Sequence, residues 1–358
     1  MNNRLARLKD QLRQRLDAIE DPLTGKGLFT SGRIAGLEAS EDGKVSFTLE
    51  APPEAAQRYV EIRDRAEAEA RALRGVTSVI AVLTAHEAKP AKSGGVARVK
   101  HVMAVASAKG GVGKSTVAVN LACAFAALGL RTGLLDLDVY GPSAPTLLGV
   151  AGKKPQMNAD KTLQPLAAHE LKTMSIGYLV DAASAMIWRG AMATSAVRQM
   201  LDDVAWGELD VLLLDLPPGT GDVQLTLLQR VPLAGAVIVS TPQELALADV
   251  RRGIAMFEKT HAPILGVIEN MAYFETPDGA RTYIFGQGGA RRTAEAAGVP
   301  FLGDIPIDVR LRESSDAGAP LVAMQPDHAV SQRFREIAQA ALANVARLSK
   351  RAPAIRFS

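Results

Sequence analysis

Residues 105–116, Val105-Ala106-Ser107-Ala108-Lys109-Gly110-Gly111-Val112-Gly113-Lys114-Ser115-Thr116, run from an apolar stretch into a glycine-rich turn and end on a lysine and two hydroxyls. A loop of this composition turns backbone amides inward around phosphate oxygens, and a helix opening after it adds the positive end of its dipole. In that arrangement Lys114 reaches the β and γ phosphates of a nucleotide and the Ser115 hydroxyl can coordinate Mg²⁺. The expected nucleotide-binding set is Ala108, Lys109, Gly110, Gly111, Val112, Gly113, Lys114, Ser115 and Thr116. The strict pattern G-x-x-x-x-G-K-[ST] wants glycine where this chain has Ala108, and the methyl would cost roughly 1 kcal/mol if the position required φ > 0.

Two acidic segments follow apolar runs. In Leu134-Leu135-Asp136-Leu137-Asp138-Val139-Tyr140-Gly141-Pro142-Ser143 the carboxylates sit just past an expected strand end, where one can orient a water toward the γ phosphate; Asp138 is preferred over Asp136 for that role. In Val211-Leu212-Leu213-Leu214-Asp215-Leu216-Pro217-Pro218-Gly219-Thr220-Gly221-Asp222 the run of four apolar residues delivers Asp215 beside the phosphate loop, to hold Mg²⁺ through water. Asn270, after the apolar run 264–268, is a candidate to read the base, since an amide offers donor and acceptor together; a turn role is the alternative.

The elements that must carry these residues are readable from patterning. The chain has 358 residues, 47% hydrophobic, and a net charge of +3, enough for a large core and two domains without the basic stripe of a nucleic-acid binder. No apolar run approaches the ~20 residues of a membrane span and the N-terminus is studded with charge, so a cytoplasmic protein is expected. With Cys123 as the single cysteine, no intrachain disulfide or cysteine-held metal site can form within one chain, and its neighbours Leu121, Ala122 and Phe125 point to packing.

Helical spacing over 5–19, alternation over 45–49, a charged helix over 59–73 and a strand over 75–83 describe a small α+β domain at 1–85. The Ala-, Lys-, Gly- and Ser-rich stretch 86–99 reads as a linker. From 100 to 350, apolar runs at 102–106, 132–135, 211–214, 236–240 and 264–268 alternate with helical patterns, the mark of a doubly wound α/β fold with a parallel sheet and its ligand at the strands' carboxyl ends. A basic tail follows at 351–358. In the preceding helical pattern, Phe334, Ile337, Ala341, Leu342 and Val345 share one side, suited to packing on the chain's own domain.

Together these residues resemble the deviant-loop ATPases that include septum-positioning and plasmid-partitioning proteins. The Tyr-Gly-Pro-Ser element at 140–143, Asp215-Leu216-Pro217-Pro218-Gly219-Thr220-Gly221-Asp222, Ile268-Glu269-Asn270-Met271-Ala272-Tyr273-Phe274, Ile284-Phe285-Gly286 and Gly288-Gly289-Ala290 are similar to the Mrp/ApbC branch of iron–sulfur cluster carriers. The first domain, with Asp21-Pro22 after a helix, resembles the MIP18-type domain often fused to that branch. The resemblance implies a P-loop NTPase with ATP and Mg²⁺ as cofactors, catalytic roles for Lys109, Lys114 and Asp138, Mg²⁺ held by Ser115 and Asp215, a homodimer in which Lys109 reaches the facing nucleotide, and iron–sulfur assembly or client proteins as partners; the scattered charge and the tail's lack of a tryptophan anchor lead us to expect no nucleic acid or membrane partner.

The branch places a C-x-x-C pair between the Met-x-Tyr-Phe and Ile-Phe-Gly elements, so that two subunits hold one [4Fe–4S] cluster. Here Thr276 and Gly279 occupy those positions, and neither supplies a thiolate, so no iron–sulfur ligand is identifiable. Glu275 and Asp278 are oxygen donors nearby, in a composition typical of a solvated turn. The rival of another class is a spatial-positioning ATPase that binds DNA or membrane as an ATP dimer.

Overall fold

The computed structural model describes residues 2–40, 42–51, 55–85, 95–179, 190–219, 221, 224, 227–228 and 231–351. Thr220, Asp222, residues 86–94 of the expected linker and the tail from 352 onward lie outside the described residues. The chain divides into two compact units, Met1–Ala91 and Lys92–Ser358.

In the first unit, helix α1 (Asn2–Asp17) precedes strands β1 (Ile34–Ala39) and β2 (Lys44–Ala51), then helix α2 (Ala56–Arg71) and strand β3 (Ser78–Ala85). β2 lies between β1, antiparallel to it, and β3, parallel to it. Val45, Phe47 and Leu49 alternate into the core, where they meet Leu12 and Leu16, one turn apart on α1, and Tyr59 of α2. At the Asp21-Pro22 break Asp21 is buried: its carboxylate accepts hydrogen bonds from the Tyr59 hydroxyl, the Thr24 hydroxyl at 2.8 Å, the Leu23 amide at 3.2 Å and Arg33 Nε at 3.1 Å.

The second unit opens on β4 (Val99–Ala106), α3 (Lys114–Ala127), β5 (Thr132–Asp136), α4 (Ala144–Leu147), β6 (Leu166–Ala168), β7 (Leu171–Ser175), α5 (Gly190–Asp202) and β8 (Leu209–Asp215). It continues through β9 (Gly235–Ser240), α6 (Glu244–Lys259), β10 (Ile264–Glu275), β11 (Arg281–Thr282), α7 (Gly289–Ala296), β12 (Phe301–Ile307), α8 (Val309–Asp316), α9 (Leu321–Met324) and α10 (Ala329–Arg351). β4 begins at Val99, within the stretch assigned above to the linker.

The strands form one sheet in the order β11-β10-β9-β4-β8-β5-β7-β6, with β12 also paired to β10. β12, β10, β9, β4, β8, β5 and β7 run parallel; β6 and β11 are short antiparallel additions at its edges, a departure from the all-parallel expectation. An edge strand needs pairing on one side only, so two or three residues suffice. Val211, Leu212, Leu213 and Leu214 of β8 are all buried, as a strand covered on both faces requires.

α3 is buried nearly all round, from Val117 to Phe125, because α10 and α9 cover the side turned away from the sheet. Phe334, Ile337, Ala341 and Val345 of α10 are buried in that packing, so the apolar side of this helix is consumed within its own domain. Cys123 lies on α3, buried, and burial pushes its thiol up to about 12. Among the described residues no helix is long and apolar enough to cross a membrane.

Candidate nucleotide site

Residues 107–113 form the loop from β4 to α3, at the carboxyl end of the central strands. Gly111 and Gly113 have φ of 81° and 82°, a region that costs an L side chain energy, and both are therefore bound to be glycine by backbone geometry. Gly113 answers to space as well: a Cβ there would stand 2.3 Å from Asn270 Nδ2. Ala108 is not in the left-handed region, so its methyl carries no backbone strain and the departure from the strict loop pattern is harmless. Ser107 ties the loop down, donating to the Lys109 carbonyl at 2.9 Å and accepting through its own carbonyl the Gly219 amide at 2.9 Å.

α3 starts at Lys114 with no side-chain cap, leaving its first amides free to face the pocket. Lys114 is buried, its Nζ 2.5 Å from Asp215 Oδ1, 3.3 Å from Ser115 Oγ and 4.0 Å from Asp138 Oδ2. The structure thus brings Lys114, Ser115, Asp138 and Asp215 together from three separate segments. Lys114, Ser115 and Asp138 border a cavity of about 270 Å³, whose walls also include Gly110, Thr116 and Pro218, and Asp215 stands behind Lys114. Lys109 lies half-buried on the loop, outside the side chains that surround Lys114.

The local charge is unbalanced. Asp138 and Asp215, both buried, face one buried ammonium, and Asp136, also buried, pairs in register with Asp215 behind them. Burial first, then the charge of Asp215, pushes the Asp136 carboxyl up to about 7, while the amides of Ala144 and Asp138 and the charge of Lys114 pull the other way. Asp138 is also raised, by burial more than Lys114 lowers it. Excess buried carboxylate beside a serine hydroxyl suits a divalent cation that draws other ligands from elsewhere; among the described residues no three His, Cys, Asp or Glu side chains converge as a ready metal shell.

A second cavity, about 600 Å³, shares Gly113, Thr116 and Leu147 with the first and continues between Met271, Phe285 and the segment Pro306–Asp316. Its apolar lining next to a phosphate-sized pocket fits a nucleoside. Asn270 borders it, and its Nδ2 donates to the Val112 carbonyl at 2.8 Å, so this amide also braces the loop. Pro306, Ile307 and Leu311 were not identified in the sequence reading. The signal was present: a strand ending in Ile305-Pro306-Ile307 followed by Asp308, which caps α8 by accepting the Leu311 amide at 2.8 Å.

The stretch 275–282 is a hairpin turn joining β10 to β11. Thr276 is half-buried and Gly279 exposed; the Thr276 hydroxyl donates to Asp278 and Gly279 adopts φ of 83°. Glu275 is paired with Arg281 at 3.0 Å, and the Arg281 guanidinium stacks 4.2 Å over the Tyr273 ring. Both carboxylates of this turn thus have partners within it.

Known proteins share both units. Residues 9–81 match the family described as iron–sulfur cluster assembly protein. A Deinococcus radiodurans iron–sulfur cluster carrier protein is 45% identical over 336 residues, covering 93% of this chain and 94% of its own. The Dictyostelium discoideum iron–sulfur cluster transfer protein NUBPL is 50% identical over 243 residues, 67% of this chain and 75% of its own. Among solved structures, an Archaeoglobus fulgidus nucleotide-binding protein in complex with ADP is 43% identical with a TM-score of 0.56, covering 64% of this chain and 91% of that one. The Pyrococcus furiosus cell division ATPase MinD, 20% identical with a TM-score of 0.54, shares the fold. Residues 98–342, which hold every side chain around Lys114, match the ParA model described as NUBPL iron-transfer P-loop NTPase, and the chain belongs to that family.

Proposed function

We propose that this chain binds and hydrolyses ATP with Mg²⁺ as a homodimer, and uses that cycle to assemble iron–sulfur clusters or hand them to client proteins. What supports this most is the buried Lys114 ammonium at the head of a glycine loop, 2.5 Å from Asp215 and 4.0 Å from Asp138. In this reading Lys114 holds the β and γ phosphates, Asp138 orients the attacking water, and Asn270 stiffens the loop through Val112. Ser115 and Asp215 would hold Mg²⁺, which supplies charge neutralisation at the phosphates. Lys109 acts across the dimer, and domains 1–85 and 100–350 work as separate modules.

The cluster is cargo. With Thr276 and Gly279 in the hairpin and Cys123 buried in α3, thiolate ligands must come from a partner protein. Purified chain should release phosphate from ATP only with Mg²⁺, and Lys109→Ala should keep nucleotide binding while losing turnover and ATP-induced dimerisation. Failure of the natural chain to hydrolyse ATP, alone or with client proteins, would remove the ATPase half of the reading. Anaerobic reconstitution with iron and sulfide tests the other half. The natural chain should stay bare, whereas Thr276→Cys with Gly279→Cys should gain iron if two hairpins face each other in the dimer, despite roughly 1 kcal/mol of strain at φ of 83°.

A further inference from the structure

Three strand tips stand side by side at the carboxyl edge of the sheet: in register, Asp215 of β8 pairs with Asp136 of β5, and Asp136 pairs with Ser175 of β7. The Asp136 carboxylate does not open onto the phosphate cavity; it grips the loop that carries Asp138. Its Oδ1 accepts the Asp138 amide at 3.0 Å, and its Oδ2 accepts the Ala144 amide at 3.1 Å and the Ser175 hydroxyl at 3.0 Å. One side chain thereby pins both ends of 138–144, and Ser175 fixes the orientation of that carboxylate. Ser175 is itself held, its Oγ accepting the Gly177 amide at 3.0 Å.

Gly177 completes the seat. It is not in the left-handed region, so backbone freedom does not explain it; space does. A Cβ at Gly177 would lie 3.0 Å from Pro145 and 3.1 Å from Pro142, so the two proline rings of the Asp138 loop rest against its bare Cα. Between those prolines lie Ser143, which borders the phosphate cavity with Asp138, and Ala144, which Asp136 grips.

We propose that Ser175 and Gly177 are positioning residues for ATP hydrolysis, forming the seat on which the Asp138 loop is set against the phosphate cavity. Neither touches the nucleotide site, and both act through Asp136, Pro142 and Pro145. This rests on the hydrolysis proposed above, since a seat matters to catalysis only if Asp138 orients the attacking water.

The experiment measures kcat and KM for ATP, ADP affinity and the thermal midpoint for the natural chain, Ser175→Ala and Gly177→Ala. Small misplacements of a catalytic group cost rate more than binding, so kcat should fall about tenfold in each variant while KM and ADP affinity stay within about twofold. Ser175→Thr, which keeps the hydroxyl, should restore most of the rate. Unchanged kcat in both folded variants overturns the proposal while leaving ATP hydrolysis standing; so does a parallel fall in kcat and ADP affinity, which would mean general damage. Should Ser175→Ala fail to fold, Gly177→Ala carries the test, its side chain lying beyond the strand. If the natural chain shows no hydrolysis, amide exchange decides: faster exchange at Asp138 and Ala144 in the ADP-bound variants supports the seat, and unchanged exchange overturns it.

Discussion

Each unit of this chain buries aspartate, and the two do so in opposite ways. Asp21 is a carboxylate with everything it needs: burial alone would raise it, but hydrogen bonds from Tyr59, Thr24, Leu23 and Arg33 outweigh that and hold it at about 2. One carboxylate meets one guanidinium, Arg33, which also lies 5.6 Å over the Tyr59 ring. Around Lys114, two carboxylates share one ammonium with a third, Asp136, buried behind them, and Asp136 and Asp138 are both raised. A satisfied buried charge specifies structure, whereas an undercompensated cluster gains by receiving a cation or a ligand that brings one. The contrast marks Asp21 as an anchor and the second cluster as a site.

Removing Lys114 should break the contrast most severely. Lys114→Ala leaves the buried carboxylates of Asp138 and Asp215 without their ammonium and the phosphates without theirs, so hydrolysis should vanish and ATP binding weaken by about 2–5 kcal/mol. Calorimetric titration and phosphate release check this; ATP binding at natural affinity would mean that the second cluster is as structural as the first.

Asp138→Ala and Asp215→Ala divide the cluster by role. The first should bind ATP and lose about a hundredfold or more in turnover, the range for a lost acid–base or water-orienting group. The second should lose the Mg²⁺ dependence of binding. Nucleotide titrations with and without Mg²⁺ separate them, and the reverse pattern would exchange the two roles.

Asp21→Ala should act on the other side of the comparison. It strands the Tyr59 hydroxyl and Arg33, at a cost of about 1–3 kcal/mol of folding stability, with ATP turnover unchanged. Because the folded carboxyl sits below its ordinary 3.8, at about 2, its contribution is present above pH 3.8 and is lost as pH falls toward 2. Melting curves of the natural chain and Asp21→Asn should therefore converge as pH drops through that window. A gap that persisted at pH 2 would show that Asp21 acts by packing rather than charge.

The smallest effect is expected at Cys123. Cys123→Ser puts a hydroxyl among apolar neighbours on α3, costing about 1–2 kcal/mol at most and leaving hydrolysis and iron content unchanged. Loss of iron from a partner-loaded complex in this variant would assign the thiol a role that its burial does not suggest.

What could be read in the chain itself was local. The glycine loop, the apolar runs that became β4, β5, β8 and β9, the aspartates at their ends and the helix patterns of the first unit depend on spacing and near-neighbour sterics, which sequence displays directly. Even so, β10 ran seven residues past its expected end, and β1, β6, β7 and β12 were not anticipated, because their short, mixed compositions take strand form only through pairing with neighbours. Tertiary structure alone decided who meets whom. It set Lys114 against Asp215 across 101 residues and Asn270 against Val112 across 158, and it bent the Pro306–Asp316 segment round to line the second cavity. It also left Ala108 unstrained and made Gly177 the rest for two prolines. Each outcome depends on where a crossover returns a strand end, and that is fixed by the cooperative packing of the sheet and its helices, not by any stretch of residues a local pattern can report.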